Sequence, residues 1–338
     1  MSNADTQERL RALARKLLAG RDGNGADSGA LMGGSPDDVA SVLRSVMESE
    51  TQEGIKPRAG VRVISKHDVD AMQKIMDHAA DLYRGTWSSR TVAIRMLPSS
   101  ALSRDRFETV TDKWWKLSDP NVLPLLGVSD PTDPDSAYTV TPYCERGNLV
   151  QYLRSTPELG DADILQMMTD IASGLEYLHE KGIAHGNLQG KNVLVESDLN
   201  CLIGGFFHSS FANPAEASEG ENSSLRSEMT MWYSPEILAS GDAFTPQGDM
   251  YAFAIVCTEI LTKGVPFSPE PSPLDTALTI VRGEHRRPAL PPSGLLDGGL
   301  KDVIDICWAD APGTRPASGE VRNMLRDIWD KLGYDGAE

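Results

Sequence analysis

The stretch Ile183-Ala184-His185-Gly186-Asn187-Leu188-Gln189-Gly190-Lys191-Asn192-Val193-Leu194-Val195 decides how this chain is read. Its central position, Asn187, carries a neutral amide, which cannot accept and hold a hydroxyl proton near pH 7 as a carboxylate there could. On either side the chain carries further short signatures in a fixed order. Val92-Ala93-Ile94-Arg95 and Asp119-Pro120-Asn121-Val122 precede it, followed by Thr141-Pro142-Tyr143-Cys144-Glu145-Arg146-Gly147-Asn148-Leu149. Gly204-Gly205-Phe206, Ser234-Pro235-Glu236, Asp249-Met250-Tyr251-Ala252-Phe253-Ala254, Cys307-Trp308 and Arg315-Pro316 come after it.

This ordered set resembles the landmarks of the protein kinase superfamily over residues 60–332, with most similarity to its tyrosine-kinase-like group. The opening stretch matches the catalytic loop H-R-D-L-x-x-x-N at His185, Leu188 and Asn192, with Asn187 in the slot of the catalytic aspartate. The resemblance implies an α+β, bilobal fold: a five-stranded sheet with one long helix over a larger, mainly helical lobe. It places an N-terminal helical extension at residues 1–58 and the kinase-like domain at 59–334. Within that domain the small lobe covers 59–141, the hinge 142–147 and the large lobe 148–334.

Phosphoryl transfer in this family needs a glycine-rich loop over the phosphates, a lysine paired to a helix glutamate, two metal ligands and a base. Each part is altered here. The loop slot reads Ile75-Met76-Asp77-His78-Ala79-Ala80, where no glycine allows close backbone approach and Asp77 repels phosphate. The lysine slot holds Arg95, a planar fork in place of a compact ammonium. Counting back from Asp119 puts Val110 in the glutamate slot, on an apolar stripe with Phe107, Trp114 and Leu117. Glu108 and Asp112 point away from that stripe. The principal metal-ligand slot is Gly204, leaving Asn192 as the one remaining metal-ligand position. Gly186 and Met229 replace two further residues of the activation machinery.

These losses predict a pseudokinase rather than an enzyme, acting as a signalling scaffold or allosteric partner of proteins, an active kinase among the candidates. The alternatives are a weak or atypical ATP-dependent kinase or nucleotidyl-transferring enzyme, and a metal-independent nucleotide or ligand sensor. No cofactor is expected. If ATP or adenosine binds, the resemblance places it weakly and without magnesium among Leu82, Ala93, Arg95, Thr141, Pro142, Cys144 and Leu194, with Arg95 the only charge for phosphates. His185, Glu236, Asp249 and Arg315 are expected to support the fold: Asp249 by bonding the catalytic-loop backbone, Glu236 and Arg315 as a buried ion pair.

Composition sets outer bounds. The net charge of −17 over 338 residues argues against nucleic-acid or anionic-membrane binding. Cys144, Cys201, Cys257 and Cys307 show no C-x-x-C spacing, so free thiols in a cytoplasmic setting are expected. The longest apolar run, about residues 251–261, is too short to span a bilayer. In the extension, Leu10, Leu13, Leu17 and Leu18 form one helical face and Val39, Val42, Leu43, Val46 and Met47 a second. The serine- and acid-rich residues 207–233 read as a solvated activation segment.

Overall fold

A computed structural model describes residues 61–76, 81–97, 104–130, 137–208, 230–240, 244–267, 273–282 and 287–333. The helices expected in 1–58, the loop residues 77–80 with Asp77, and most of the activation segment lie outside the described residues. The small lobe is an antiparallel sheet in the order β1-β2-β3-β5-β4. Its strands are β1 (Asp70–Met76), β2 (Leu82–Trp87), β3 (Arg90–Leu97), β4 (Gly127–Val128) and β5 (Ala137–Pro142).

Successive side chains of a strand point to opposite faces. In β3, Val92 and Ile94 are buried in a small outer core with Tyr138 and Val140 of β5, Ile64 and Val69. Ala93 and Arg95 therefore face the other way, opposite Thr141 and Thr139 in register. Gly85 in β2 permits tight packing over that outer core: a Cβ there would stand 2.5 Å from Val69 Cγ1. Tyr138 Oη donates to Ile64 O at 2.7 Å, and Ile64 N and Val128 N bond across to Val128 O and Arg62 O. That short segment covers the β4 edge, which would otherwise offer unpaired backbone groups.

Helix α1 (Arg104–Trp114) buries Phe107, Val110 and Trp114 at helical spacing, so the apolar stripe packs inward. Its contacts run into the main core of the large lobe. There the sheet gives way to α2 (Leu149–Ser155), α3 (Asp161–Glu180), the hairpin β6 (Val193–Val195) and β7 (Cys201–Ile203), and then helices. These are α4 (Pro235–Ser240), α5 (Pro246–Thr262), α6 (Pro273–Val281), α7 (Lys301–Cys307) and α8 (Ser318–Leu332). Helix α5 starts with Thr245 capping Gly248 N and Pro246 in its first turn. It is buried on every side from Gly248 to Ile260, as a helix at the centre of a large lobe must be. Among the described residues no helix is long and apolar enough to cross a membrane, and all four cysteines are buried and free.

Candidate active site

Asp249, in the first turn of α5, sets the catalytic loop. Its Oδ2 accepts from His185 N at 2.7 Å and its Oδ1 from Gly186 N at 2.8 Å, both buried. His179 Nε2 lies 2.9 Å from Oδ2 as well. His185 is fully buried, with Nε2 2.8 Å from Gly204 O and Nδ1 accepting from Asn187 N at 3.3 Å. A carbonyl can only accept, so these partners fix the neutral tautomer with its proton on Nε2. His185 is a positioned strut between the loop and the chain after β7.

Asn187 is buried at the bend of that loop. Its Oδ1 accepts from Gln189 Nε2, and its carbonyl accepts from Asn192 Nδ2 at 2.8 Å. Gly204 N donates to Asn192 O at 2.8 Å. Gly205, at φ 85°, lies so close to the Asn192 amide that a Cβ would fall 2.6 Å from Cγ. The family's two magnesium ions do not fit these donors. Asn192 offers a single neutral amide oxygen, Gly204 has no carboxylate, and no group of three or more His, Cys, Asp or Glu side chains that could hold a metal converges among the described residues.

Above the loop, the cavity-facing residues of β3 and β5 roof a space of about 260 Å³. All seven residues expected of a nucleotide pocket line it: Leu82, Ala93, Arg95, Thr141, Pro142, Cys144 and Leu194. Tyr143 N donates to Thr91 O, and hydrogen-bonded pairs alternate along an antiparallel ladder. Pro142 thus sits at a pair without ladder bonds, and its carbonyl is directed away from β3. Cys144 N–H has no partner among the described residues. Its thiol is pushed up to about 12, mainly by burial and further by Glu196, and stays neutral. Solvent reaches Arg95 through the cavity, yet desolvation by burial lowers its pKa.

The structure corrects one expectation and adds residues the sequence did not single out. Lys191, exposed on the turn at residues 190–192, also lines the cavity, so Arg95 is not its only cation. Lys191 occupies a position the motif leaves unspecified; charge inside the loop was its one signal. Val110 is fully buried within the core, so no acid on α1 meets Arg95 there. In its place aromatics bind α1 to the site: the Trp114 and Phe206 rings are 5.1 Å apart, and Phe107 stacks on Phe207 at 6.0 Å. Arg106 Nη2 donates to Phe207 O at 2.8 Å, and Trp114 Nε1 to Leu123 O at 2.6 Å.

Below the loop, Glu259 of α5 accepts from Gly190 N at 2.8 Å and Trp232 Nε1 at 2.9 Å. Burial pushes its carboxyl up to about 7 against those two donors and the charge of Lys191. Arg315 grips Glu236 with both nitrogens, at 2.7 and 2.9 Å. Burial raises the Glu236 carboxyl, but Arg315 and the nearby donors outweigh it and hold it below its usual value.

A family model described as protein tyrosine and serine/threonine kinase matches residues 76–325. Among curated relatives, the chain is 27% identical over 253 residues to the serine/threonine/tyrosine-protein kinase HT1 of Arabidopsis thaliana, covering 72% of this chain and 62% of the relative. It is 29% identical over 291 residues to the tyrosine-protein kinase csk-1 of Caenorhabditis elegans, covering 84% and 51%. It is 27% identical over 259 residues to the probable serine/threonine-protein kinase gdt2 of Dictyostelium discoideum, covering 75% and 15%. The match spans less than two thirds of the length of each of these relatives. The expectation of a chain that is not an enzyme is overturned by this set, whose members are named kinases of serine, threonine and tyrosine. With the bilobal fold, the catalytic loop tied to Asp249 and a cavity under the sheet, this chain belongs to the protein tyrosine and serine/threonine kinase family.

Proposed function

We propose that this chain is an atypical ATP-dependent protein kinase of low turnover. The observation that carries the reading is the cavity itself: the apolar walls Leu82, Ala93 and Leu194 and the hinge groups of Pro142 and Cys144 surround one space directly above the catalytic loop. Such an opening suits a flat, apolar base with one hydrogen-bonding edge. Arg95 supplies a guanidinium beside it, shaped to hold phosphate oxygens in pairs.

Catalysis in this family is chiefly positioning plus electrostatics, which a site with altered slots supplies in part. An acceptor hydroxyl attacks the γ-phosphorus in line, forming a new P–O bond as the bond to the bridging oxygen of ADP breaks. Asn187 cannot take the hydroxyl proton, so it passes to an oxygen of the transferred phosphoryl group. Loss of a general base costs about 10²–10⁴ in rate, which puts turnover below about 1 s⁻¹ when set against ordinary kinases. The net charge of −17 favours encounter with basic protein acceptors.

Incubation with ATP labelled at the γ-phosphate and a basic acceptor protein tests this. Label should accumulate on protein with time and fall at least tenfold in Arg95→Gln. Absence of label above an enzyme-free control, or label undiminished in the variant, contradicts the reading. Label transferred only from the α-phosphate replaces it with nucleotidyl transfer.

A further inference from the structure

The charge of the cavity runs against the charge of the chain. The protein as a whole carries −17, yet the described residues lining this space include Arg95 and Lys191 and no Asp or Glu. The two cations come from opposite sides. Arg95 descends from β3, while Lys191 rises from the turn between the two asparagines of the catalytic loop. That turn is held on both sides of Lys191: Gly190 N is bonded to Glu259 at 2.8 Å and Asn192 N to Gln189 O at 2.8 Å. Only the lysine side chain is left exposed there, on a pinned backbone. Glu259, the acid that feels its charge, is buried under the turn.

A site built to hold a divalent ion for phosphates needs carboxylates, and this lining has none among the described residues. Two cations facing one cavity do the opposite: they favour a bare polyanion, whose charge they neutralise directly. We propose that Arg95 and Lys191 together clasp the phosphates of a nucleoside triphosphate bound without a metal ion, in the place where the family uses protein-held magnesium. This rests on the reading of the cavity as a nucleotide site. Lys191 is a phosphate-binding residue in that scheme.

Calorimetric titration in EDTA tests it with four probes: ATP, ADP, adenosine and inorganic tripolyphosphate. ATP should bind at least tenfold more tightly than adenosine, with ADP between them and tripolyphosphate weaker than ATP. Lys191→Gln should weaken ATP about tenfold and leave adenosine unchanged, while Lys191→Arg should retain the affinity for ATP. Excess magnesium should not tighten ATP binding. ATP binding that requires magnesium, that equals adenosine binding, or that is unaffected by Lys191→Gln overturns the clasp while leaving the nucleotide reading in place. Tripolyphosphate binding as tightly as ATP shows an anion site with no use for the nucleoside and also overturns it. No binding by any of the three nucleosides or nucleotides overturns the functional reading and the clasp together.

Discussion

Gly204 shows how much one side chain changes while the backbone around it keeps its place. Its N–H and C=O are bonded to Asn192 O and His185 Nε2, both at 2.8 Å, so the position is held as firmly as any in the site. A Cβ there would lie 3.0 Å from Leu123 Cδ2, a tight contact that Leu123 must yield to by a few tenths of an ångström. Gly204→Asp should therefore fold, with a cost of about 1–3 kcal/mol for the overpacking. Its carboxylate would repel bare ATP and supply the missing metal donor. ATP affinity measured in EDTA should drop severalfold and be restored by magnesium; an affinity indifferent to both changes contradicts the charge assignment. Glu259 gives a second test at this scale. Its carboxyl stands at about 7, above the value of 4.5 for an unperturbed glutamate. The folded state therefore binds its proton more readily than the unfolded chain does. The contribution is fully present below pH 4.5 and is lost as pH rises through 7. Denaturant titrations of Glu259→Gln should show a flatter stability profile than the parent between those pH values; parallel profiles contradict the burial assigned to Glu259. The substitutions at 187 and 204 were legible in sequence because the motif assigns those slots. Lys191 was not, because its importance comes from which cavity the turn opens onto, and that depends on β3 and β5 arriving above it.

At the scale of elements, the period of two in β3 and β5 does most of the positioning. Val92, Ile94, Tyr138 and Val140 fill the outer core, which forces Ala93, Arg95, Thr139 and Thr141 onto the cavity. That alternation could be read from the strands' composition once their register was assumed. The seating of α1 could be read only in half. Its apolar stripe was evident, but the sequence could not tell that Trp114 and Phe107 meet Phe206 and Phe207, which lie about a hundred residues away in the chain. These rings, the Arg106 bond to Phe207 O and the Trp114 bond to Leu123 O hold the helix where the family uses an ion pair from a lysine in the slot of Arg95. Removing the indole leaves both a cavity and an unpaired Leu123 carbonyl. Trp114→Ala should cost about 3–5 kcal/mol in denaturant unfolding and lower phosphate transfer further by loosening the roof over the loop. A loss under about 1 kcal/mol would mean that the aromatic bracket does not seat α1.

For the whole molecule, the retained groups are those that shape the large lobe. Asp249 bonds two successive backbone amides of the catalytic loop, and Arg315 reaches Glu236, Gln247 O and Ala309 O at once. The Arg315 side chain is fully buried and Glu236 partly exposed, so removing Glu236 leaves a buried cation uncompensated, at a cost of up to about 3–5 kcal/mol; these residues hold the activation segment's end and the loop to α5 irrespective of what the loop carries. The bilobal architecture was legible because those fixed points sit in motif order along the chain. The pull of the kinase relatives was not, since a missing carboxylate reads as lost chemistry when the motif is taken alone. A rapid-quench reaction with protein in excess over γ-labelled ATP, at a fixed concentration of basic acceptor, tests whether this cavity passes phosphate to protein. ADP and phosphorylated acceptor should appear with one shared rate constant, and both should vanish in Ala93→Phe, whose ring fills the adenine end of the cavity while the melting temperature stays near that of the parent. ADP formation no faster than without protein, or equal product formation by the filled-cavity variant, contradicts such transfer.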